Sequence, residues 1–194
     1  MLYKNISAVV LAGGANKRFN GSIKAKIVID GATIISRIID TLSGIFDEII
    51  IVTNTPMEYE EFKKHKIITD VYEKKGPLGG IHAALKASSK ESIFVFAGDM
   101  PFLNKGLIIK QIEYFRNNKS DILIPMINEN IEPLHSIYDL SVTETLEEYL
   151  KADHNKAVRE FFKLVKVGYI QLEDSEEIRK AFTNINSPSD IVFY

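Results

Sequence analysis

Apolar residues are distributed along this chain in two alternating periods. Nearly continuous β-branched runs of strand length recur at Ile6–Leu11, Glu48–Thr53, Ile67–Val71, Ser92–Ala97, Asp121–Ile127 and Val167–Leu172. Runs of this kind suit strands buried on both faces, as in a parallel sheet covered by helices. Between them the period lengthens. Thr33–Phe46 sets Ile34, Ile35, Ile38, Ile39, Leu42 and Ile45 on one helical stripe, with Thr33 placed to cap the first turn. Leu78–Ser88 and Leu103–Asn117 read as further helices, and Val142–Lys151 and Lys156–Val165 as two more. Strand alternating with helix predicts right-handed βαβ units, hence an α/β fold of three layers, α/β/α, with a mainly parallel central sheet. After Pro125 the order loosens, and INENIEPLHSIYDL reads as a turn leading into a short antiparallel strand. No linker, repeat or low-complexity tract interrupts residues 1–194, so one domain is expected.

The polar motifs fall where the strands end. Leu11 runs into AGGANKR, Thr53 into Asn54, the Ile67 strand into Asp70, and Ala97 into Gly98-Asp99. In open α/β sheets, ligands bind beyond the carboxyl ends of the strands. The first loop, VVLAGGANKRFNGSIKAK, joins a glycine pair to four cations: Lys17, Arg18, Lys24 and Lys26. Its register matches neither a P-loop nor G-x-G-x-x-G. It offers backbone without Cβ that can aim N–H groups at phosphates, with a bidentate fork from Arg18 and a mobile charge from Lys24. The alternative is a surface loop of solvated cations, the role expected for Lys17. KGPLGGIHAAL opens a helix at Pro77, and Gly79-Gly80 either packs against a flat base or serves the helix alone. His82 is expected to be an ordinary helix residue. In FAGDMPF, Asp99 either holds Mg²⁺ together with substrate phosphates or caps the helix after Pro101. Asn184 and Asn186, one residue apart in FTNINSPSD, either present amides to a hydrogen-bonding heterocycle or form a turn.

Composition narrows the function classes. A net charge of −2 gives no global field for nucleic acid or an anionic membrane, so any anion site is local. The chain has no cysteine, which removes a thiolate metal site and a thiol nucleophile together. MLYKNISAVVLAGG lacks the long apolar core of a signal peptide, and no run reaches the roughly 18 apolar residues of a membrane span. A cytoplasmic protein is expected.

With these residues in view, the chain resembles the molybdenum cofactor guanylyltransferases, the MobA family of Rossmann-like nucleotidyltransferases. The resemblance runs from Ile6 to Asp190. LAGGANKRFNGSIK is similar to LAGGxSxRMGxDK, GPLGGI to GPLAGI, GDMPF to CDxPF/Y, and FTNINSPSD to FxNxNTPxD. Phe19-Asn20 replaces the usual Met-Gly, and Ile23 the Asp before Lys24. The resemblance implies that Leu11, Ala12, Gly13 and Gly14 line a guanine nucleotide, with Asp70, Gly76, Pro77 and Leu78 assisting. Asn54 is expected there too, with Thr53 the alternative register. Lys24 would contact phosphates, with Lys26 the competing lysine. Asp99 would hold Mg²⁺, and Asn184 and Asn186 would face the pterin. Gly14 and GPLGG favour guanine over the cytidylyl relatives, which more often read LAAG.

The implied reaction transfers GMP from GTP to the terminal phosphate of Mo-molybdopterin, releasing pyrophosphate, with Lys24, Asp99 and Arg18 as the catalytic groups. Expected partners are GTP, Mo-molybdopterin, and proteins that deliver and receive the cofactor, with no nucleic acid and no membrane. The rivals are a cytidylyltransferase, a nucleotidyltransferase acting on another phosphorylated acceptor, and a non-catalytic nucleotide-binding domain.

Overall fold

A computed structural model describes residues 2–13, 24–72, 75–152, 157–186 and 190. Its centre is an 8-stranded sheet. β1 (Ile6–Leu11) is flanked by β4 (Ile49–Val52) and β6 (Ser92–Ala97), both parallel to it. Outside β4 lies β5 (Lys66–Ile68), again parallel. Beyond β6 comes β9 (His135–Asp139), antiparallel to both β6 and β7 (Ile122–Ile127). β10 (Val167–Leu172) closes that edge parallel to β7, and β8 (Asn130–Ile131) pairs with the end of β7. The short antiparallel strand expected after Pro125 is thus β9. Pro125, which cannot donate to a ladder, sits where β7 has left β9 and not yet met β8.

The alternation of side chains along each strand builds two cores. Ala8 and Val10 of β1, Ile51 of β4, and Phe94 and Phe96 of β6 face one way. There they meet α1 (Ile34–Ser43), α3 (Lys105–Asn117) and α6 (Glu176–Ala181). Val9, Ile50, Ile93 and Val95 face the other way, onto α2 (Pro77–Ala87), α4 (Thr143–Lys151) and α5 (Val158–Phe161). This is the three-layer α/β/α arrangement. Each fully buried aliphatic or aromatic side chain contributes about 1.5–3 kcal/mol. The central strands therefore form the stable frame on which the loops are hung.

The predicted boundaries shift for local reasons. Thr33 does cap α1, its Oγ1 accepting from the N–H of Ser36 at 3.2 Å. α3 starts at Lys105 because Asn104 caps it, accepting from the N–H of Leu107 at 2.9 Å. β5 is shorter than the expected Ile67–Val71. Its pairing with β4 ends at Ile68, whose carbonyl accepts from the N–H of Thr53, and the chain then leaves the sheet. A small hairpin of β2 (Val28–Ile29) and β3 (Ala32–Thr33) was not anticipated. It turns at Asp30-Gly31, both at positive φ (46° and 80°), the conformation Asp-Gly favours. α6 was also unanticipated; Ser175 caps it, accepting from the N–H of Ile178 at 3.3 Å. Among the described residues, no helix is long and apolar enough to cross a membrane.

Candidate active site

β1 lies at the point where the connections reverse: the chain builds outward through β4 and β5, then returns to place β6 on the other side. Such a switch point opens a crevice beyond the carboxyl ends of the strands. A cleft of about 720 Å³ lies there, entered by the ends of β1, β4 and β6 and by the start of α2. Leu11, Ala12, Gly13, Lys24, Asn54, Asp70, Gly76, Pro77 and Asp99 all line it. Nine of the expected residues are therefore brought together. A second cavity of about 410 Å³ adjoins the first, sharing Pro77, Ala97, Asp99 and Leu134 with it, and Asn184 and Asn186 line this one.

Lys24 and Asp99 meet where the two spaces join. Lys24 Nζ lies 3.7 Å from Asp99 Oδ2, each side chain about one-quarter exposed (26% and 25%), and donates to Asn186 Oδ1 at 2.8 Å. The helix-capping alternative for Asp99 falls away, since Asn104 caps α3. Burial raises the Asp99 pKa above the usual carboxylate value even though Lys24 pulls the other way. A carboxylate desolvated in this manner, aimed into a cleft with one ammonium beside it, is suited to share a divalent cation with phosphate oxygens. Among the described residues no group of three or more His, Asp or Glu side chains is arranged to hold a metal ion by itself. One or two carboxylates completed by substrate phosphates is the donor set Mg²⁺ commonly takes, and Asp99 fits it.

The backbone around this pair is tightly specified. A Cβ on Gly98 would stand 2.8 Å from the carbonyl oxygen of Leu11 and 3.0 Å from Ala12 Cα, so only glycine lets the two strand ends close up. The N–H of Gly98 donates to that same carbonyl at 3.0 Å. The N–H of Ile185 donates to the Asp99 carbonyl at 2.9 Å, which ties the Asn-Ile-Asn segment to the Asp99 turn. Gly76, at φ +62°, makes the bend that opens α2. Across the cleft, Asn54 Nδ2 donates to Asp70 Oδ2 at 3.4 Å, and burial raises the Asp70 pKa. Asp70 enters the cleft because β5 stops short of it.

Three expectations are corrected or resolved. The Leu78 side chain does not reach the cleft; it is fully buried in the α2-side core with Val52 and Ile81, being the residue of the first helical turn that faces the sheet. Of the alternative residues after β4, Thr53 is buried and accepts from the N–H of Thr55, while Asn54 lines the cleft. Of the two lysines, Lys26 turns away to pair with Glu58 at 3.6 Å and Glu61 at 3.5 Å. Gly14, Lys17 and Arg18 lie outside the described residues. His82 lies on α2 as expected, buried against Tyr72 with its Nε2 3.4 Å from a Glu147 carboxylate oxygen.

Sequence reasoning passed over Tyr59. It is fully buried, and its hydroxyl donates to the Ala12 carbonyl at 3.1 Å, anchoring the first loop. Burial pushes its phenol up to about 12. Its place in a polar turn, Pro56–Phe62, carried no signal in the sequence. Glu132, in the segment read only as a turn, was passed over too, and it lines the second cavity.

A mainly parallel sheet, a glycine-edged cleft at its switch point and a paired cation and carboxylate at the cleft's inner end define a Rossmann-like nucleotidyltransferase. The chain belongs to the MobA-like NTP transferase domain family, which matches residues 8–170. It is 36% identical over 193 residues to a probable molybdenum cofactor guanylyltransferase of Natranaerobius thermophilus, covering 96% of this chain and 93% of that one. It is 39% identical over 188 residues to a probable enzyme of the same name from Clostridium perfringens, covering 93% and 91%. Among solved structures it resembles the molybdopterin-guanine dinucleotide biosynthesis protein A of Archaeoglobus fulgidus, with a TM-score of 0.80, 25% identity, and 96% and 95% of the two chains covered. The fold is shared more widely. A 4-diphosphocytidyl-2C-methyl-D-erythritol synthase of Anaerococcus prevotii superposes at a TM-score of 0.74 with 20% identity, covering 98% of this chain and 94% of that one.

Proposed function

We propose that the protein transfers GMP from GTP to the terminal phosphate of Mo-molybdopterin and releases pyrophosphate. The observation that carries this reading is the Lys24–Asp99 pair at the junction of two adjoining cavities, one large enough for a nucleotide and one lined by Asn184 and Asn186. The names of the relatives support guanine as the base and molybdopterin as the acceptor.

In this mechanism an oxygen of the acceptor phosphate attacks the α-phosphorus in line. A new P–O bond forms, the α–β anhydride breaks, and pyrophosphate leaves with the electron pair. The protein supplies no covalent nucleophile; its contribution is positioning and charge. Gly13 and the glycine-lined edge let the nucleotide approach the backbone. Lys24 offsets charge that builds on the phosphates, and Arg18 acts with it. Asn186, held on Lys24, sets the acceptor side relative to the phosphates. Asp99 would hold Mg²⁺, which would supply concentrated positive charge to the reacting phosphates. A cytoplasmic setting, and partner proteins that bring and collect the cofactor, belong to the same reading.

The test is calorimetric titration with GTP, CTP, ATP and UTP, each with Mg²⁺ and again with EDTA, followed by pyrophosphate release on adding Mo-molybdopterin. The expected result is Mg²⁺-dependent preference for GTP and acceptor-dependent release. A preference for CTP would move the chain to the cytidylyl relatives, and GTP binding without release would leave a nucleotide-binding domain.

A further inference from the structure

The second cavity carries an acid that neither the nucleotide nor the metal requires. Glu132 stands in the turn between β8 and β9, with its backbone fastened on both sides. Its N–H donates to the Pro125 carbonyl at 3.1 Å, while its own carbonyl accepts from the N–H of His135 at 3.1 Å and from Ser136 Oγ at 2.7 Å. The side chain is thereby presented to the cavity from a fixed base. Among the described residues the carboxylate has no hydrogen-bond or ion-pair partner, and burial alone acts on it, raising its pKa. A carboxylate that lines a cavity and spends neither oxygen on a protein donor is free to accept from a ligand bearing donors.

The surroundings indicate the kind of ligand. Met100, Pro133 and Val158 give the cavity apolar walls, and Asn184 and Asn186 add amides that both donate and accept. An apolar slot with one acceptor-only group and two amides is complementary to a flat heterocycle bearing adjacent N–H donors on one edge. Because the cavity shares Asp99 with the nucleotide cleft, an acceptor whose phosphate sits at Asp99 and Lys24 extends its ring system along the slot.

We propose that Glu132 accepts the paired N3–H and 2-amino donors of the acceptor's pterin ring and thereby selects a 2-aminopterin over rings lacking that amine. The inference rests on the molybdopterin reading above. Two parallel N–H donors match the two oxygens of a carboxylate, the bidentate geometry that gives charge-assisted bonds their specificity. A ring with a carbonyl at that position turns an acceptor toward the carboxylate and is repelled. Glu132 is on this account a specificity residue, without a part in the phosphoryl step.

The full chain is assayed with GTP, Mg²⁺ and Mo-molybdopterin for GMP transfer, with 6-hydroxymethylpterin and 6-hydroxymethyllumazine as competitors. Wild type is expected to be inhibited better by the pterin than by the lumazine, by roughly 10- to 100-fold. Glu132→Gln and Glu132→Ala are expected to raise KM for Mo-molybdopterin by a similar factor and to abolish the preference, while GTP affinity by calorimetry stays within about twofold, which also reports that they fold. Equal inhibition of wild type by the two rings, or by neither, overturns the assignment with no variant needed. So does a Glu132→Gln protein that keeps both its KM and its preference. Wild type that transfers no GMP to molybdopterin at all defeats the functional reading instead, and this inference with it.

Discussion

Replacing Lys24 by Met keeps the length of the side chain and removes its ammonium. That ammonium lies 3.7 Å from Asp99 Oδ2, with both side chains about three-quarters withdrawn from water. Coulomb's law at an effective dielectric of about 20 gives roughly 4 kcal/mol of gross attraction at this distance, much of it offset by desolvation of the two ions. In the proposed GTP complex the same ammonium would turn to phosphate, where a charge-assisted hydrogen bond is worth about 1.5–3 kcal/mol net. Its loss therefore weakens GTP·Mg²⁺ binding by roughly 10- to 150-fold. Lys26 is the matched control: its ammonium is engaged 3.6 Å and 3.5 Å from Glu58 and Glu61, exposed acids outside the cleft. Exposed pairs of that kind contribute about 0–1 kcal/mol, so Lys26→Met leaves GTP affinity within about twofold. Calorimetry on the two variants and wild type at one ionic strength measures the contrast. Equal losses in both variants, or an unchanged affinity in Lys24→Met, would refute the assignment of the phosphate lysine.

Gly98→Ala forces a methyl against the Leu11 carbonyl and Ala12 Cα, backbone atoms that cannot swing aside; unfolding free energy from urea titration is expected to drop by about 2 kcal/mol, and GTP binding to weaken with it. Tyr59→Phe leaves the Ala12 carbonyl without its donor, so a loss of about 1 kcal/mol in the same titration is expected, and no loss would mean the hydroxyl does not anchor the loop. Stability should also fall in acid. His135 is completely buried, and desolvation lowers its pKa from 6.5 to about 4. Since the unfolded chain then binds the proton more readily, stability is fully present above pH 6.5 and declines between there and about pH 4, by roughly 3 kcal/mol over the whole window. His65 and His82, whose pKa values burial also lowers, act in the same direction. Urea titrations at pH 7 and pH 5 check this, and a flat profile would show that His135 is not held neutral.

The strands were legible because burial on both faces needs unbroken β-branched runs, and β1, β6 and β10 are found at the predicted residues. Thr33 was legible as a cap because a hydroxyl before an apolar helical stripe satisfies a free N–H of the first turn. The hairpin at Asp30-Gly31 was legible in principle, its turn residues being the favoured pair, but its strands have only two residues each and carry no periodic signal. The site was partly readable: glycine and acid at successive strand ends point to one sheet edge, and they meet there. These are local properties, set by neighbours a few residues apart along the chain.

Other features required the tertiary structure. Lys24 and Lys26 have the same chemistry and nearly the same place in the chain; only the packing of the short Lys24–Lys26 turn sends one to Asp99 and the other to Glu58 and Glu61. Asn186 reaches Lys24 across 162 positions of sequence. Leu78 faces the core because of the angle at which α2 docks, and Glu132 faces the second cavity because Pro125 and Ser136 hold its backbone. Strand and helix follow from short-range pattern, whereas the direction of a polar side chain depends on which distant elements arrive beside it, and a pattern along one chain does not encode that.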